Sequence, residues 1–131
     1  MMGTVERPAG DARAAWRVEL GRRGEELAAR HLENTGLVVL SRNWRSRAGE
    51  LDLVLTDGRT LVVCEVKTRS GVEYGLPAEA VTPEKRERIR RLAQQWLRDH
   101  EVGWCPVRYD VVAVLAPRGQ NPSLKHIKGA F

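Results

Sequence analysis

Two apolar runs hinged on an Asp–Gly pair constrain this chain more than any other feature. Glu50–Leu51–Asp52–Leu53–Val54–Leu55 and Thr60–Leu61–Val62–Val63–Cys64–Glu65–Val66–Lys67 are strand-like, and Asp57–Gly58 between them is a turn signal. The pair is predicted to fold back as an antiparallel hairpin. Strand side chains alternate between faces. Leu51, Leu53 and Leu55 are then expected on one face, and Asp52 on the other with Glu50 and Val54. On the partner strand Val62, Cys64 and Val66 share one face, and Glu65 and Lys67 the other. The turn brings Asp52 opposite or diagonal to Glu65, at Cβ separations of about 4.5–5.5 Å or 7–8 Å. Two carboxylates and an ammonium group converge on a patch of sheet that is otherwise apolar.

The flanking sequence supplies helices for this sheet. Trp16, Leu20, Leu27, Ala28, His31 and Leu32 recur at helical spacing and Gly36 follows as a stop, which predicts a first helix over roughly 12–34. Trp16 and Trp96 fit apolar helix faces and are expected in the core. Residues 1–12 read as a tail, leaving 13–131 as one domain. Leu37–Leu40 is a short strand, and Ser41–Arg47 its end and a loop. Gly71–Pro77 is irregular, with Tyr74–Gly75 placed to cover or merely connect. Thr82 as N-cap and Pro83 in the first turn open a second helix, whose apolar face is Ile89, Leu92, Ala93, Trp96 and Leu97. Val107–Ala116 is a further strand, and Lys125–His126–Ile127–Lys128 a short edge strand. The order α-β-β-β-α-β predicts an α/β sandwich, with helices on a small mixed sheet.

A chain of 131 residues is one domain, and its 22 Lys and Arg against 17 Asp and Glu leave a formal charge of +5. The pI of about 9.8 points to an anionic partner, nucleic acid first. No window approaches the ~18 consecutive apolar residues of a membrane span. The N-terminus lacks the apolar region of a secretory signal, and Arg22–Arg23 is not followed by one. Cys64 and Cys105 form no CxxC, and nothing in them points outside a reducing cytoplasm.

Asp, Glu and Lys are seldom buried unless paired, and neighbouring carboxylates repel. A divalent cation resolves the repulsion: Mg²⁺ takes one or two carboxylates and keeps several waters. It also lowers the pKa of water and polarises a phosphoryl oxygen. Lys67, two residues beyond Glu65, stands where a positive group can orient water or stabilise charge on a phosphate. The competing reading is a structural ion pair of Lys67 with Glu65 or Asp52 at a sheet edge.

Gly49–Glu50–Leu51–Asp52, followed by Cys64–Glu65–Val66–Lys67–Thr68–Arg69, resembles the D-x(n)-E-x-K signature of the PD-(D/E)xK nuclease superfamily. The restriction-endonuclease-like fold and the archaeal Holliday-junction resolvases belong to that superfamily. More closely, the chain is similar to the bacterial YraN-like family of endonuclease-like proteins. Gly24–Glu25–Glu26, the two motifs above, Val81–Thr82–Pro83–Glu84–Lys85 and Arg108–Tyr109–Asp110–Val111–Val112 carry that likeness, over roughly residues 20–115. The resemblance implies a restriction-endonuclease-like α/β/α sandwich. It implies Asp52 and Glu65 as ligands of Mg²⁺ or Mn²⁺ and Lys67 as the catalytic lysine. It also implies a completing glutamate on the first helix, for which Glu26 matches and Glu25 is the adjacent rival. Leu51 stands where the superfamily's name has Pro.

Basic groups gather around these motifs. Arg42, Arg45 and Arg47 surround Trp44, whose indole either stacks on a base or packs in the core. Arg69 follows the motif strand. Lys85 and Arg88, one helical turn apart, are candidates to contact phosphate, with Lys85 pointing toward Lys67. Asp110 is read as structural, and His31, His100 and His126 as surface or packing residues. The function expected is metal-dependent hydrolysis of DNA phosphodiesters, on branched or non-duplex substrates. The alternative is a non-catalytic nucleic-acid-binding module with a vestigial nuclease site. The domain is small for cutting both strands, which a homodimer would answer.

Overall fold

The computed structural model describes residues 9–71 and 81–131, with side chains from residue 12 onward. The elements are α1 (Ala9–Asn34), β1 (Val38–Ser46), β2 (Gly49–Thr56), β3 (Leu61–Arg69), α2 (Pro83–Asp99), β4 (Val107–Leu115) and β5 (Ser123–Ile127). The strands form one mixed sheet in the order β1-β2-β3-β4-β5. Pairing is antiparallel except between β3 and β4, which run parallel and are joined through α2. The helices cover opposite faces. Ala28, Ala29 and Leu32 of α1 pack on Leu53, Leu55, Val62, Cys64, Val66, Val112 and Val114. Ile89, Leu92, Ala93, Trp96 and Leu97 of α2 pack on Leu51, Val54, Leu61, Val63 and Val111. The result is the expected α/β/α sandwich. Among the described residues no helix is long and apolar enough to cross a membrane.

Local chemistry explains the element ends. Helix α1 closes on Gly36 at φ +101°, with the Leu37 amide donating to the Leu32 carbonyl and the Gly36 amide to that of Glu33. That is the left-handed C-cap a glycine permits. Helix α2 opens on Thr82, whose hydroxyl accepts the Lys85 amide at 3.2 Å, with Pro83 in the first turn. The β2–β3 turn is closed by Asp57 Oδ1, which accepts the amides of Arg59 and Thr60, both at 2.8 Å.

Several expectations need correction. Helix α1 begins at Ala9, inside the span assigned to a tail, and residues 1–8 lie outside the described residues. Trp16 is not in the core: it is 40% exposed, under the Arg118 guanidinium, because α1 meets the sheet only from about Gly24 onward. Ser41–Ser46 is strand rather than loop, paired along β2. Tyr74–Gly75 falls outside the described residues. Leu51 does not share a face with Leu53 and Leu55: it packs under α2, they under α1. The alternation slips at Asp52.

Candidate active site

The slip at Asp52 creates the site. On one side, the β1–β2 pairing runs through Arg42–Leu53 and Trp44–Leu51 but skips Asn43 and Asp52 between them. Asn43 sits at φ +48°, a left-handed conformation that Asn tolerates better than most residues. On the other side, the β2–β3 ladder ends at Leu53–Cys64, one step short of Asp52 and Glu65. The strands diverge there, and side chains take over the hydrogen bonding. The Asp52 amide donates to Glu65 Oε2 at 3.3 Å, and the Val66 amide donates to Asp52 Oδ2 at 2.9 Å. Glu65 is buried and Asp52 half-buried. The predicted meeting of these carboxylates is realised, with their backbones splayed rather than paired.

Lysines face them. Glu65 lies in register with Val111, and Val111 belongs to the α2 core, so Glu65 and Lys67 project on the α2 side. Lys85, in the first turn of α2, lies within hydrogen-bond reach of Lys67. Each charge is displaced from its ordinary titration. Burial pushes the Glu65 carboxyl up to about 7, reinforced by the Asp52 charge and opposed by Lys85 and Lys67. Burial likewise raises Asp52, against the Val66 amide and the Lys67 charge. Lys67 is lowered, first by burial and then by Lys85. Displaced titration of acids and bases in one cluster is characteristic of functional sites.

A third carboxylate approaches from the other side of the sheet, and it belongs to Glu25. Its pKa is raised by burial and by the Asp52 and Glu50 charges, against a hydrogen bond with Asn43. Glu26, the residue favoured from sequence, is not brought into the cluster. It faces solvent, ion-paired to Arg42 at 2.7 Å and Arg30 at 3.2 Å. Helix phase is the reason. Glu25 lies four and seven residues before the buried Ala29 and Leu32, whereas Glu26 shares its stripe with Arg30 and Glu33. Gly24 marks the contact: a Cβ there would overlap the Thr68 side chain on β3. An interior helix glycine, which normally weakens a helix, was the sequence signal for the close approach.

The remaining candidates separate. Lys85 joins the cluster, and Arg69 ends β3 beyond Lys67. Arg47 and Arg88 are exposed, and the Arg88 side chain passes close to Gly49 at the start of β2. Arg42 is held by Glu26 and Glu33, and Arg45 by Glu50. Trp44 packs against the α2 core rather than presenting its face. Asp110 is structural, fully buried between Arg108, His126 and the Gly129 amide at 2.8–3.0 Å.

Among the described residues no three His, Cys, Asp or Glu side chains are grouped closely enough to hold a metal by themselves. The donor set still fits a hard divalent cation. Mg²⁺ commonly takes only one or two carboxylates, with waters completing the octahedron, and Asp52 and Glu65 offer oxygen donors at a place where their negative charge is under-compensated.

The chain has relatives among known proteins. The model of a family described as "Uncharacterised protein family UPF0102" matches residues 24–114, which hold Glu25, Asp52, Glu65, Lys67 and Lys85. A UPF0102 protein of Acidothermus cellulolyticus is 51% identical over 128 residues, covering 90% of this chain and 97% of the relative. One of Frankia casuarinae is 55% identical over 112 residues, 86% and 95% of the two chains. One of Rhodococcus jostii is 51% identical over 117 residues, 89% and 99% of the two.

Proposed function

The chain belongs to the UPF0102 family, the YraN-like family its motifs resemble, and from that premise we propose that it is a divalent-metal-dependent endonuclease acting on DNA. The observation that carries the reading is the Asp52–Glu65 pair, cross-bonded where two strands part and faced by Lys67 and Lys85. Asp52 and Glu65 would hold Mg²⁺ or Mn²⁺, with Glu25 beside them. The chemistry such a cation supplies is Lewis acidity toward water and toward a phosphoryl oxygen.

The chain's own groups supply the rest. Lys67 faces the position of a bound phosphate, where its charge opposes the negative charge that grows as water attacks phosphorus in line with the leaving oxygen. Lys85 adds a second positive group on the same side. Glu65, raised to about 7 without metal, would give up its proton on taking up the cation, so metal uptake would be favoured as pH rises. Asn43 orients Glu25 through their hydrogen bond. Arg69, two residues beyond Lys67 on β3, and the exposed Arg47 and Arg88 would suit the phosphates of a longer strand. Such an enzyme would meet its substrate in the cytoplasm, and a homodimer would serve both strands of a duplex.

A second reading is a nucleic-acid-binding module whose nuclease site is vestigial. Lys67 and Lys85 favour it, because their charges already offset part of the carboxylate repulsion without a metal. One screen separates the two. Duplex, single-stranded, flap and four-way DNA are incubated with Mg²⁺, Mn²⁺ or chelator. The endonuclease reading expects metal-dependent cleavage of at least one substrate, abolished by Asp52→Asn and reduced by Lys67→Met. Salt-sensitive DNA binding with no cleavage, and no metal uptake by calorimetry at millimolar concentration, would overturn it in favour of the binding module.

A further inference from the structure

Sheet register sets out a second feature beside the carboxylates. Glu65 of β3, Val111 of β4 and Ile127 of β5 form one cross-strand row on the α2 face, and α2 covers it. The next row outward on that face is Lys67, Ala113 and Lys125. The one after is Arg69, Leu115 and Ser123. These two outer rows line a cavity of about 290 Å³. Its floor is apolar at Ala113 and Leu115, the latter 39% exposed. Both charged side chains of the first row are cationic, the second adds Arg69, and neither row contains a carboxylate. Among the described residues no acidic side chain pairs with Lys125.

Strands lie about 4.8 Å apart, so the Cα atoms of Lys67 and Lys125 stand about 10 Å apart across Ala113. Long flexible side chains rooted at that distance can each engage a different phosphate of one strand, while the small Ala113 lets a sugar settle between them. Among the described residues the strip is apolar, flanked by lysines and without acidic side chains, which is complementary to a nucleotide, whose base is flat and partly apolar and whose phosphates are anionic. We propose that this floor is the subsite for the nucleotide adjoining the cut, with Lys125 holding the neighbouring phosphate of the strand whose scissile phosphate faces Lys67. The inference rests on the nucleic-acid reading above and adds Lys125 and Ala113 as substrate-positioning residues.

The test is the salt dependence of binding. The full chain, in chelator, is titrated with a fluorescein-labelled single-stranded oligonucleotide between 50 and 200 mM salt. Losing one phosphate contact lowers the slope of log K against log salt by about 0.7. Lys125→Gln is expected to show that loss, and Ala113→Glu to weaken binding more strongly by placing a carboxylate in the strand's path. Lys128→Gln removes the same charge from a position just outside both rows and is expected to leave the slope unchanged. An unchanged slope in Lys125→Gln, or an equal loss in Lys128→Gln, overturns the subsite. Because binding is read without metal, these outcomes stand apart from the cleavage screen. A chain that cleaves nothing yet loses slope at Lys125 keeps the subsite and fails as an endonuclease.

Discussion

Asp52 and Glu65 are joined through the hydrogen bonds their strands no longer make: Glu65 Oε2 takes the Asp52 amide, while the Asp52 carboxylate takes the amide of Val66, the residue after Glu65. Two anions are thereby fixed side by side in a half-dry position. Anions so placed resist being charged together, so one of them holds a proton to higher pH.

Glu65 titrates near 7 in the fold against an ordinary 4.5. Between those values the folded state binds the extra proton, so stability must fall as pH rises. The contribution is fully present below 4.5 and is lost as pH passes through about 7. Urea melts of metal-free protein at pH 5 and pH 8 should differ in this direction, by on the order of 2 kcal/mol from this group. Glu65→Gln should flatten the difference, and millimolar Mg²⁺ should restore stability at pH 8. Equal pH dependence in wild type and Glu65→Gln would contradict this account of the site.

Asp110 is the opposite kind of carboxylate. Burial alone would raise it, but Arg108, the Gly129 amide and His126 outweigh burial and hold it below its ordinary 3.8. Its stability contribution is therefore present above that value and is lost as pH falls through the lower folded one. It ties β4 to β5 and the C-terminal segment. Asp110→Asn leaves the largely buried His126 and a partly exposed Arg108 facing a neutral group, and losing hydrogen bonds to a charged group costs about 1.5–3 kcal/mol. A chemical-denaturation midpoint unchanged from wild type would show that the network carries no such weight.

Much of this was readable from sequence, and the failures share one cause. The hairpin, both caps, the α2 core face and the pairing of Asp52 with Glu65 depend on short-range patterns, and each emerged as expected. Strict alternation puts Leu51 on the wrong face because it assumes an unbroken ladder, and the ladder lapses at Asn43 and Asp52. In the sequence Lys125 reads only as part of an edge strand. Its place beside Lys67 depends on the parallel pairing of β3 with β4 and the antiparallel return of β5, both set by contacts distant in sequence.

Gly24 offers a case where two effects of known size oppose. Alanine in a helix interior is favoured over glycine by about 1 kcal/mol. Here the new methyl would meet Thr68 at its Cβ as well as at its rotatable tips, and overpacking of that kind costs about 1–3 kcal/mol. Gly24→Ala should therefore destabilise the fold on balance. It should also reduce cleavage, because α1 would be pushed off β3 and carry Glu25 away from Asn43. A more stable Gly24→Ala variant with full activity would mean that α1 does not need this close contact.

The adjacent glutamates Glu25 and Glu26 separate a role at the site from a role at the surface. Both become glutamine with the same change in net charge. Glu25 sits in the field of Asp52 and Glu50 and bonds Asn43, and losing a supporting group of that kind lowers metal affinity or activity about 10- to 100-fold. Glu26 pairs in solvent with Arg30 and Arg42, and such exposed, salt-screened ion pairs contribute little to stability. Glu25→Gln is expected to depress kcat/KM and to weaken Mn²⁺ binding in calorimetry. Glu26→Gln should leave both within about twofold of wild type, the usual range for a surface change. If Glu26→Gln were the more damaging of the two, the helix phase assigned to the site would be wrong, and the third carboxylate would have to reach Asp52 through a rotation of α1 absent from this structure.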